Sequence, residues 1–549
     1  MTEAITIHEK DDLGVALVDL PKGTIVSING EEVHIQEYIK AKHKFALKDF
    51  DTKDEVHMYN VTVGLAKYPI KKGEAIKTEN LTHKSDTYSI ENRKKVSWTK
   101  PDVSKWENIT FDGYHREDGQ VGTANYWLVF PLVFCENRNI ETIKKAFNKA
   151  LGFEKEDPYV SMVSTLVDRY ENNQLNGEEI ELEVKEPQQT TRKRVFENID
   201  GIRFLTHQGG CGGIRQDSET LCRLLSGYIN NPNVAGATVL SLGCQNAQIS
   251  MFKDAMKAIN PNLKKPVIIL DQQATGTEQD LIKNSISKTF MELVKANEIE
   301  RKPALLSKLT IGLECGGSDG FSGISANPAI GYTSDLLVAL GGKAILSEFP
   351  ELCGVEQELI NRMNNDQLAE KFVDIMRRYE KSAVDAGSGF DMNPSPGNIK
   401  DGLITDAMKS AGAAKKGGTS SVADVLDYTE YANKPGLNLL CTPGNDVEST
   451  TGLAGSGANI ILFTTGLGTP TGNPIAPVLK LSSNSKLAEK MSDIIDIDTG
   501  PVIAGEKTIE EMGAEILDYI INVASGKKSA KSMDLGQYDF IPWKRGVSL

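Results

Sequence analysis

Hydrophobic and polar positions change their rhythm near residue 100. Before it, short alternating runs at Val15 to Leu17, Thr24 to Ile28, Lys44 to Leu47 and Val61 to Leu65 are cut by Pro21-Lys22-Gly23, Asn29-Gly30 and Lys71-Lys72-Gly73. Period-two runs between turn residues predict a small β module over 1–92. A polar stretch, 93–110, reads as a linker.

After it, apolar runs alternate with amphipathic ones. Trp127 to Phe134 precedes Ile140 to Leu151, the Phe204–Leu205 run and its glycine turn precede Ser218 to Tyr228, Ala237 to Leu242 precedes Ala247 to Ile259, and Val267 to Leu270 precedes Gln279 to Ala296. Strand-helix alternation of this kind predicts βαβ units and a parallel sheet over 111–306. The charged stretch Asn172 to Arg194 reads as an excursion from it. A second α/β region over 307–549 has strands at Thr310 to Leu313, Ala344 to Leu346 and Asn459 to Thr464, and helices at Glu356 to Arg362, Leu368 to Asp385 and Ile509 to Ala524. The fold class is therefore α/β, with a small β-rich N-terminal domain and a two-part body built on parallel sheets.

At 549 residues, 40% hydrophobic and 25% charged, the chain has the composition of a multidomain globular protein. Its net charge of −14 argues against a nucleic-acid or anionic-membrane partner, either of which needs a basic stripe. No apolar run reaches the length of a membrane span and the N-terminus lacks a signal pattern, so a cytoplasmic location is expected. Seven cysteines without C-x-x-C pairs fit a reducing compartment better than a disulfide framework.

Three apolar runs end on a glycine beside a cysteine, at Cys211, Cys244 and Cys315. In open parallel sheets, ligands bind beyond the carboxyl ends of strands, so polar groups repeatedly placed there outline a site. The richest such turn is Leu313 to Pro328, L-E-C-G-G-S-D-G-F-S-G-I-S-A-N-P, and the next strand ends on Glu348. Glycine-rich turns are also ordinary connections, and cysteine is often only a small buried hydrophobe. Of seven histidines, His207 stands out because it enters the turn 209–213; His43 lies in the β module. The loops Asp391 to Asn398 and Cys441 to Asp446 read as ordinary rigid turns, whereas Thr464 to Pro474 offers hydroxyls and backbone donors to an acid. No nucleotide-binding glycine motif, serine-nucleophile elbow or H-E-x-x-H is present.

Several longer stretches together resemble the altronate/galactarate dehydratase family: F-D-G-Y-H-R-E-D-G-Q-V-G-T-A-N-Y (111–126), the turn at 206–213, G-L-E-C-G-G-S-D-G-F-S-G (312–323), N-P-S-P-G-N (393–398), G-N-D-V-E-S-T-T-G (444–452), F-T-T-G-L-G-T-P-T-G-N-P (463–474) and D-F-I-P-W-K-R-G-V-S-L (539–549). The resemblance implies an N-terminal SAF-type (β-clip) domain joined to the α/β body. It implies metal-dependent dehydration of a sugar acid in hexuronate catabolism, D-altronate to 2-keto-3-deoxy-D-gluconate, with iron(II), or manganese(II), as the ion. Galactarate or another sugar acid is the alternative substrate, and a catalytically inactive sugar-acid sensor the alternative role.

The family's histidine-rich pattern near the end of the SAF domain is Ala75-Ile76-Lys77-Thr78-Glu79-Asn80 here, and its frequent G-C-E is Gly243-Cys244-Gln245. On the matched motifs, His43 and His207 are expected as the acid-base pair. Cys315, Asp319 and Glu348, then Cys211 and Cys244, are expected near the metal, with Ser318, Asn327, Asn398 and Asn473 on substrate hydroxyls. The expected partner is a small sugar acid. A homodimer is the assembly to consider first, symmetric dimers being the commonest.

Overall fold

The computed structural model describes residues 2–154, 157–175 and 193–548, with Leu182 and Val184; most of the charged stretch at 172–194 lies outside them. Residues 2–82 form short antiparallel strands in three small sheets. Ile25–Ile28 pairs with Glu31–His34 across the two-residue turn Asn29-Gly30, both at positive φ, the geometry that matches strand twist. Glu55–Met58 and Val61–Ala66 repeat the device across Tyr59-Asn60. All four strands expected in this module are present, within one or two residues at each end.

This domain does not stand apart from the body. Val56, Tyr59 and Val63 belong to the same apolar core as Phe321, Ile404 and Met408. Residues 83–109 carry neither helix nor strand and lie along the C-terminal part, where Arg93 Nε donates to Ile360 O and Trp106 Nε1 donates to Asp518 Oδ1 at 2.8 Å.

The first α/β unit is a four-stranded parallel sheet in the order Gly201–Phe204, Tyr126–Pro131, Val234–Ser241, Val267–Asp271. Helices Asn137–Leu151, Arg215–Asn230, Ile249–Ile259 and Glu278–Ala296 flank it, as the alternation predicts. Thr110–His115 and Arg301–Leu305 pair antiparallel beside it, bringing together the chain segments that enter and leave the unit.

The C-terminal unit is a seven-stranded parallel sheet in the order Val422–Leu426, Gly436–Leu440, Lys343–Leu346, Thr310–Cys315, Ile460–Thr465, Val478–Ser482, Ile497–Asp498. The chain leaves the central strand Thr310–Cys315 toward one edge and returns to its other side at Ile460–Thr465. A crevice therefore opens at the carboxyl ends of these strands, where doubly wound sheets hold their ligands.

The pattern does not predict four of these strands, Val422–Leu426, Gly436–Leu440, Val478–Ser482 and Ile497–Asp498, or the buried helices Ala326–Ala339, Asp406–Ala414 and Asp446–Gly455. These helices are enriched in Ala, Gly, Ser and Thr and are buried on most sides, so no amphipathic stripe marks them. The loop Cys441 to Asp446 is accordingly more than a turn: Asn445 Oδ1 accepts from the amides of Val447 and Glu448 and starts a helix.

Candidate functional site

The strand Thr310–Cys315 is buried along its whole length and delivers Cys315 to the crevice. The adjacent strand Lys343–Leu346 ends two residues before Glu348, whose φ of 66° is left-handed. For a side chain other than glycine that conformation costs about 1–3 kcal/mol and persists only where its surroundings impose it. Here Glu348 N donates to Thr442 Oγ1 at 2.8 Å, and the Glu348 carboxylate accepts from Cys315 N at 3.2 Å. One helical turn later Glu351 points to the same place: Cys315 Sγ is 3.2 Å from Glu351 Oε2 and 3.5 Å from Glu348 Oε2.

Two lysines from distant sequence complete the cluster. Lys416 Nζ donates to Glu348 Oε2 at 2.6 Å and to Cys315 Sγ at 2.8 Å, and is 1% exposed. Lys409 Nζ donates to Glu351 Oε1 and to Asn393 Oδ1. Burial pushes Glu351 up, but Lys409 and Lys416 outweigh it and hold the carboxyl at about 2. Burial works against the Lys416 charge, and the surrounding Cys315, Glu348 and Glu351 hold it firmly on. Behind them, burial and then Glu348 push Glu314 well above the usual carboxylate range; its Oε2 accepts from Ser347 and Ser449.

Asp446 closes the other side. A Cβ on Gly316 would lie 2.2 Å from Asp446 Oδ2, so only glycine lets this carboxyl approach the Cys315 turn so closely. Burial, then Glu348 and Glu351, raise Asp446 to about 7, where it exchanges a proton near neutrality.

Of the residues singled out in the sequence, Cys315 and Glu348 are brought together here. Asp319 is fully buried among other donors: Oδ1 accepts from Phe321 N, Ser322 N and the Ser322 and Ser483 hydroxyls, and Oδ2 pairs with Lys42 Nζ at 2.8 Å. This pair ties the β domain to the glycine turn. At Gly320 and Gly402 a Cβ would come within 2.2 and 2.4 Å of Lys42 O. His43 sits in the same seam, half-buried, its Nε2 donating to Lys400 O at 3.1 Å.

The amides expected on substrate are engaged within the fold. Asn327 Nδ2 donates to Gly412 O and its Oδ1 accepts from Thr464 Oγ1; Asn398 Nδ2 donates to Ser318 O at 2.7 Å. Asn473 donates to Tyr228 and Thr450 O and accepts from Ile475 N and Ala476 N.

His207, 5% exposed, donates from Nε2 to Pro131 O at 2.8 Å and accepts at Nδ1 from Gly209 N at 3.1 Å. Burial lowers it to about 4, so the ring is neutral and both nitrogens are occupied in ordering the glycine turn. His207 and exposed Cys211 line a cavity of about 920 Å³ with Phe134, Glu448 and Trp543, and none of the groups around Cys315 borders it. Cys244 is exposed on the next turn, where Gln245 accepts from Gly243 N and donates to Ser241.

Glu314 and Asp446 lie inside the stretches 312–323 and 444–452 without standing out there as site residues, and Glu351, Lys409 and Lys416 lie outside every quoted motif. The lysines arrive on a small-residue helix and the turn after it, and E-F-P-E is the one local hint that Glu351 accompanies Glu348.

One ligand atom from each of Cys315, Glu348 and Glu351 lies within 4.8 Å of the others, all three are buried, and Glu348 Oε1 has no hydrogen-bond partner among the described residues. A thiol with two carboxylates suits a divalent transition metal.

Comparison with known proteins agrees along the whole chain. Residues 2–84 match the altronate/galactarate dehydratase SAF domain, 113–297 the second domain of D-galactarate dehydratase/altronate hydrolase, and 306–548 the D-galactarate/altronate dehydratase C-terminal domain. An altronate dehydratase of Bacillus subtilis is 33% identical over 96% of each chain, and one of Escherichia coli is 32% identical over 99% of each. The galactarate dehydratase (L-threo-forming) of Escherichia coli is 29% identical over 97% of this chain and 95% of its own. With domain matches end to end and relatives of this identity at full length, the chain belongs to the altronate/galactarate dehydratase family.

Proposed function

We propose that the protein is a hydro-lyase that dehydrates a sugar acid, D-altronate, to 2-keto-3-deoxy-D-gluconate, using the cluster around Cys315. The observation that carries this reading is the buried set of Cys315, Glu348 and Glu351 with two lysines at the switch point of the seven-stranded sheet. It stands in a chain whose full-length relatives include altronate dehydratases.

The proton beside a carboxylate is very weakly acidic, so its removal needs cationic or hydrogen-bonding groups where negative charge develops. Lys416 and Lys409 hold fixed positive charge at that place. Asp446, at about 7, gives a proton to the departing 3-hydroxyl, which leaves as water, and Glu348 Oε1, without a hydrogen-bond partner among the described residues, takes the proton from C2. Cys315, Glu348 and Glu351 would hold a divalent ion, iron(II) or manganese(II), which supplies Lewis-acid stabilisation of the substrate carboxylate and 2-hydroxyl. The charges support this: two carboxylates balance two ammoniums, and a Cys315 thiolate with one substrate carboxylate balances the ion. A monoacid fits that count, whereas galactarate brings a second carboxylate that needs another cation.

His207 has no part in this scheme because both its nitrogens are committed. His43 belongs to the seam that positions the β domain over the turn. No described helix is long and apolar enough to cross a membrane, and we place the enzyme in the cytoplasm, where Cys315 stays reduced.

The test is anaerobic turnover of D-altronate and galactarate by metal-stripped protein, with and without iron(II) or manganese(II), detecting the 2-keto-3-deoxy product. Metal-restored turnover of altronate is expected. No turnover of either acid by folded protein with any ion would overturn the reading and favour a sensor.

A further inference from the structure

We propose that His83, Cys353 and Asp406 form a second divalent-metal site, of the zinc or cobalt class, at the seam between the β domain and the C-terminal unit. The three residues come from separate segments: His83 just after the last strand of the β domain, Cys353 at the end of the turn Phe349–Leu352, and Asp406 in the first turn of the helix Asp406–Ala414. Each offers one ligand atom, and the three atoms lie within 4.8 Å of one another. Ligand atoms around a tetrahedral zinc stand roughly 3.5 Å apart, so modest side-chain rotation brings these three onto one ion. Imidazole, thiolate and carboxylate are the donors such an ion takes.

A second observation points the same way. Asp406 is 1% exposed; its Oδ1 accepts from Ser410 Oγ at 3.2 Å and the Cys353 thiol bears on the carboxyl, while Oδ2 has no well-formed hydrogen bond among the described residues. His83 Nδ1 is likewise buried without a partner. Burying polar atoms in this way is costly, and two of them on one three-donor cluster are what an ion would satisfy. Asp391 adds a negative charge near His83, Glu356, which burial raises to about 7, adds part of one near Cys353, and Lys409, a cation that bears on Asp406, is committed to Glu351.

The donors are distinct from Cys315, Glu348 and Glu351, yet the same two segments carry both sets. Cys353 follows Glu351 by two residues, and Asp406 precedes Lys409 by one helical turn. An ion here fixes the Glu351–Lys409 pair from behind and, through His83, anchors the end of the β domain. It is a positioning site, without contact to the reacting atoms.

The experiment is an anaerobic cobalt(II) titration of the full-length, chelator-treated protein and of its Cys315→Ser, Cys353→Ser and His83→Ala variants, read by absorption and by bound cobalt per chain. Cys315→Ser is expected to retain a cobalt ion with a thiolate charge-transfer band, contributed by Cys353, and Cys353→Ser to lose that ion. His83→Ala should weaken its binding by at least the roughly 10–100-fold that outer-shell changes cause. Absence of any thiolate band from Cys315→Ser, or identical titrations of Cys353→Ser and wild type, overturns the proposal. If Cys353→Ser fails to fold, the Cys315→Ser band and the His83→Ala affinity decide it. Turnover is measured separately, so a failure of the dehydratase reading leaves this result intact.

Discussion

Replacing Lys416 by methionine removes a buried ammonium from Glu348 Oε2, 2.6 Å away, and from Cys315 Sγ, 2.8 Å away. Both Lys416 and Glu348 are essentially without solvent, at 1% and 0% exposure. At an effective dielectric of about 20, unit charges at this separation attract by about 6 kcal/mol, against which stands the cost of desolvating both. The single variant therefore strands a buried carboxylate and should lose about 3–5 kcal/mol. Glu348→Gln strands the ammonium and should cost a similar amount. The double variant, Lys416→Met with Glu348→Gln, strands neither and should be less destabilised than either single. The assay is urea unfolding of chelator-treated protein followed by circular dichroism, with stability taken from the midpoint and a common slope. Single losses below about 1 kcal/mol, the range of exposed pairs, would refute the reasoning, as would strict additivity.

Further expectations concern separate parts of the molecule. Activity should fall as pH rises through about 7, the value to which burial and the neighbouring glutamates raise Asp446, and Asp446→Asn should lose about 10²–10⁴-fold in kcat along with that limb of the pH-rate profile. His207 takes up a proton on unfolding between its folded value of about 4 and the ordinary 6.5. The folded state should accordingly lose about 3 kcal/mol as pH falls across that window, a loss that urea titrations of His207→Gln should lack. Gly320→Ala places a methyl group against Lys42 O and should displace the β domain, lowering kcat by up to about 10²-fold with circular dichroism unchanged.

Four strands of the β module were legible from their alternation, whereas Glu31–His34 and Glu55–Met58 were not; the first parallel sheet was legible because apolar runs such as Tyr126–Pro131 and Val234–Ser241, buried at every residue, alternate with helices that keep one face in water. The C-terminal sheet was only partly legible. Val422–Leu426 and Gly436–Leu440 are short strands between polar loops, and the helix Ala326–Ala339 begins in a Ser-Ala-Asn-Pro stretch that reads as a turn. When a helix is buried on most sides by small residues, periodicity carries no information about it. Burial of Ser449, Thr450 and Thr451 on the helix Asp446–Gly455 shows the consequence, since their hydroxyls look like surface residues until their partners are known.

The same physics explains which half of the site could be read. Cys315 and Glu348 end adjacent parallel strands, and strand ends can be found from local pattern. Lys409 and Lys416 reach them from 58 and 68 residues beyond their glutamate partners, through a helix with no apolar stripe. Their pairing is a property of the sheet order, in which the chain moves outward from Thr310–Cys315 and crosses back only after both lysines are placed. For histidine, residue type and surroundings point in different directions. His207 has the residue type of an acid-base catalyst, but its depth in the fold keeps it neutral and its two bonds leave no free lone pair or proton. Asp446 has the opposite history: an aspartate at a helix start reads as an N-terminal charge, yet burial beside Glu348 and Glu351 makes it the carboxyl that titrates near neutrality. Chemical role here follows from solvent exclusion and neighbouring charge, so a residue's type nominates it and its surroundings decide.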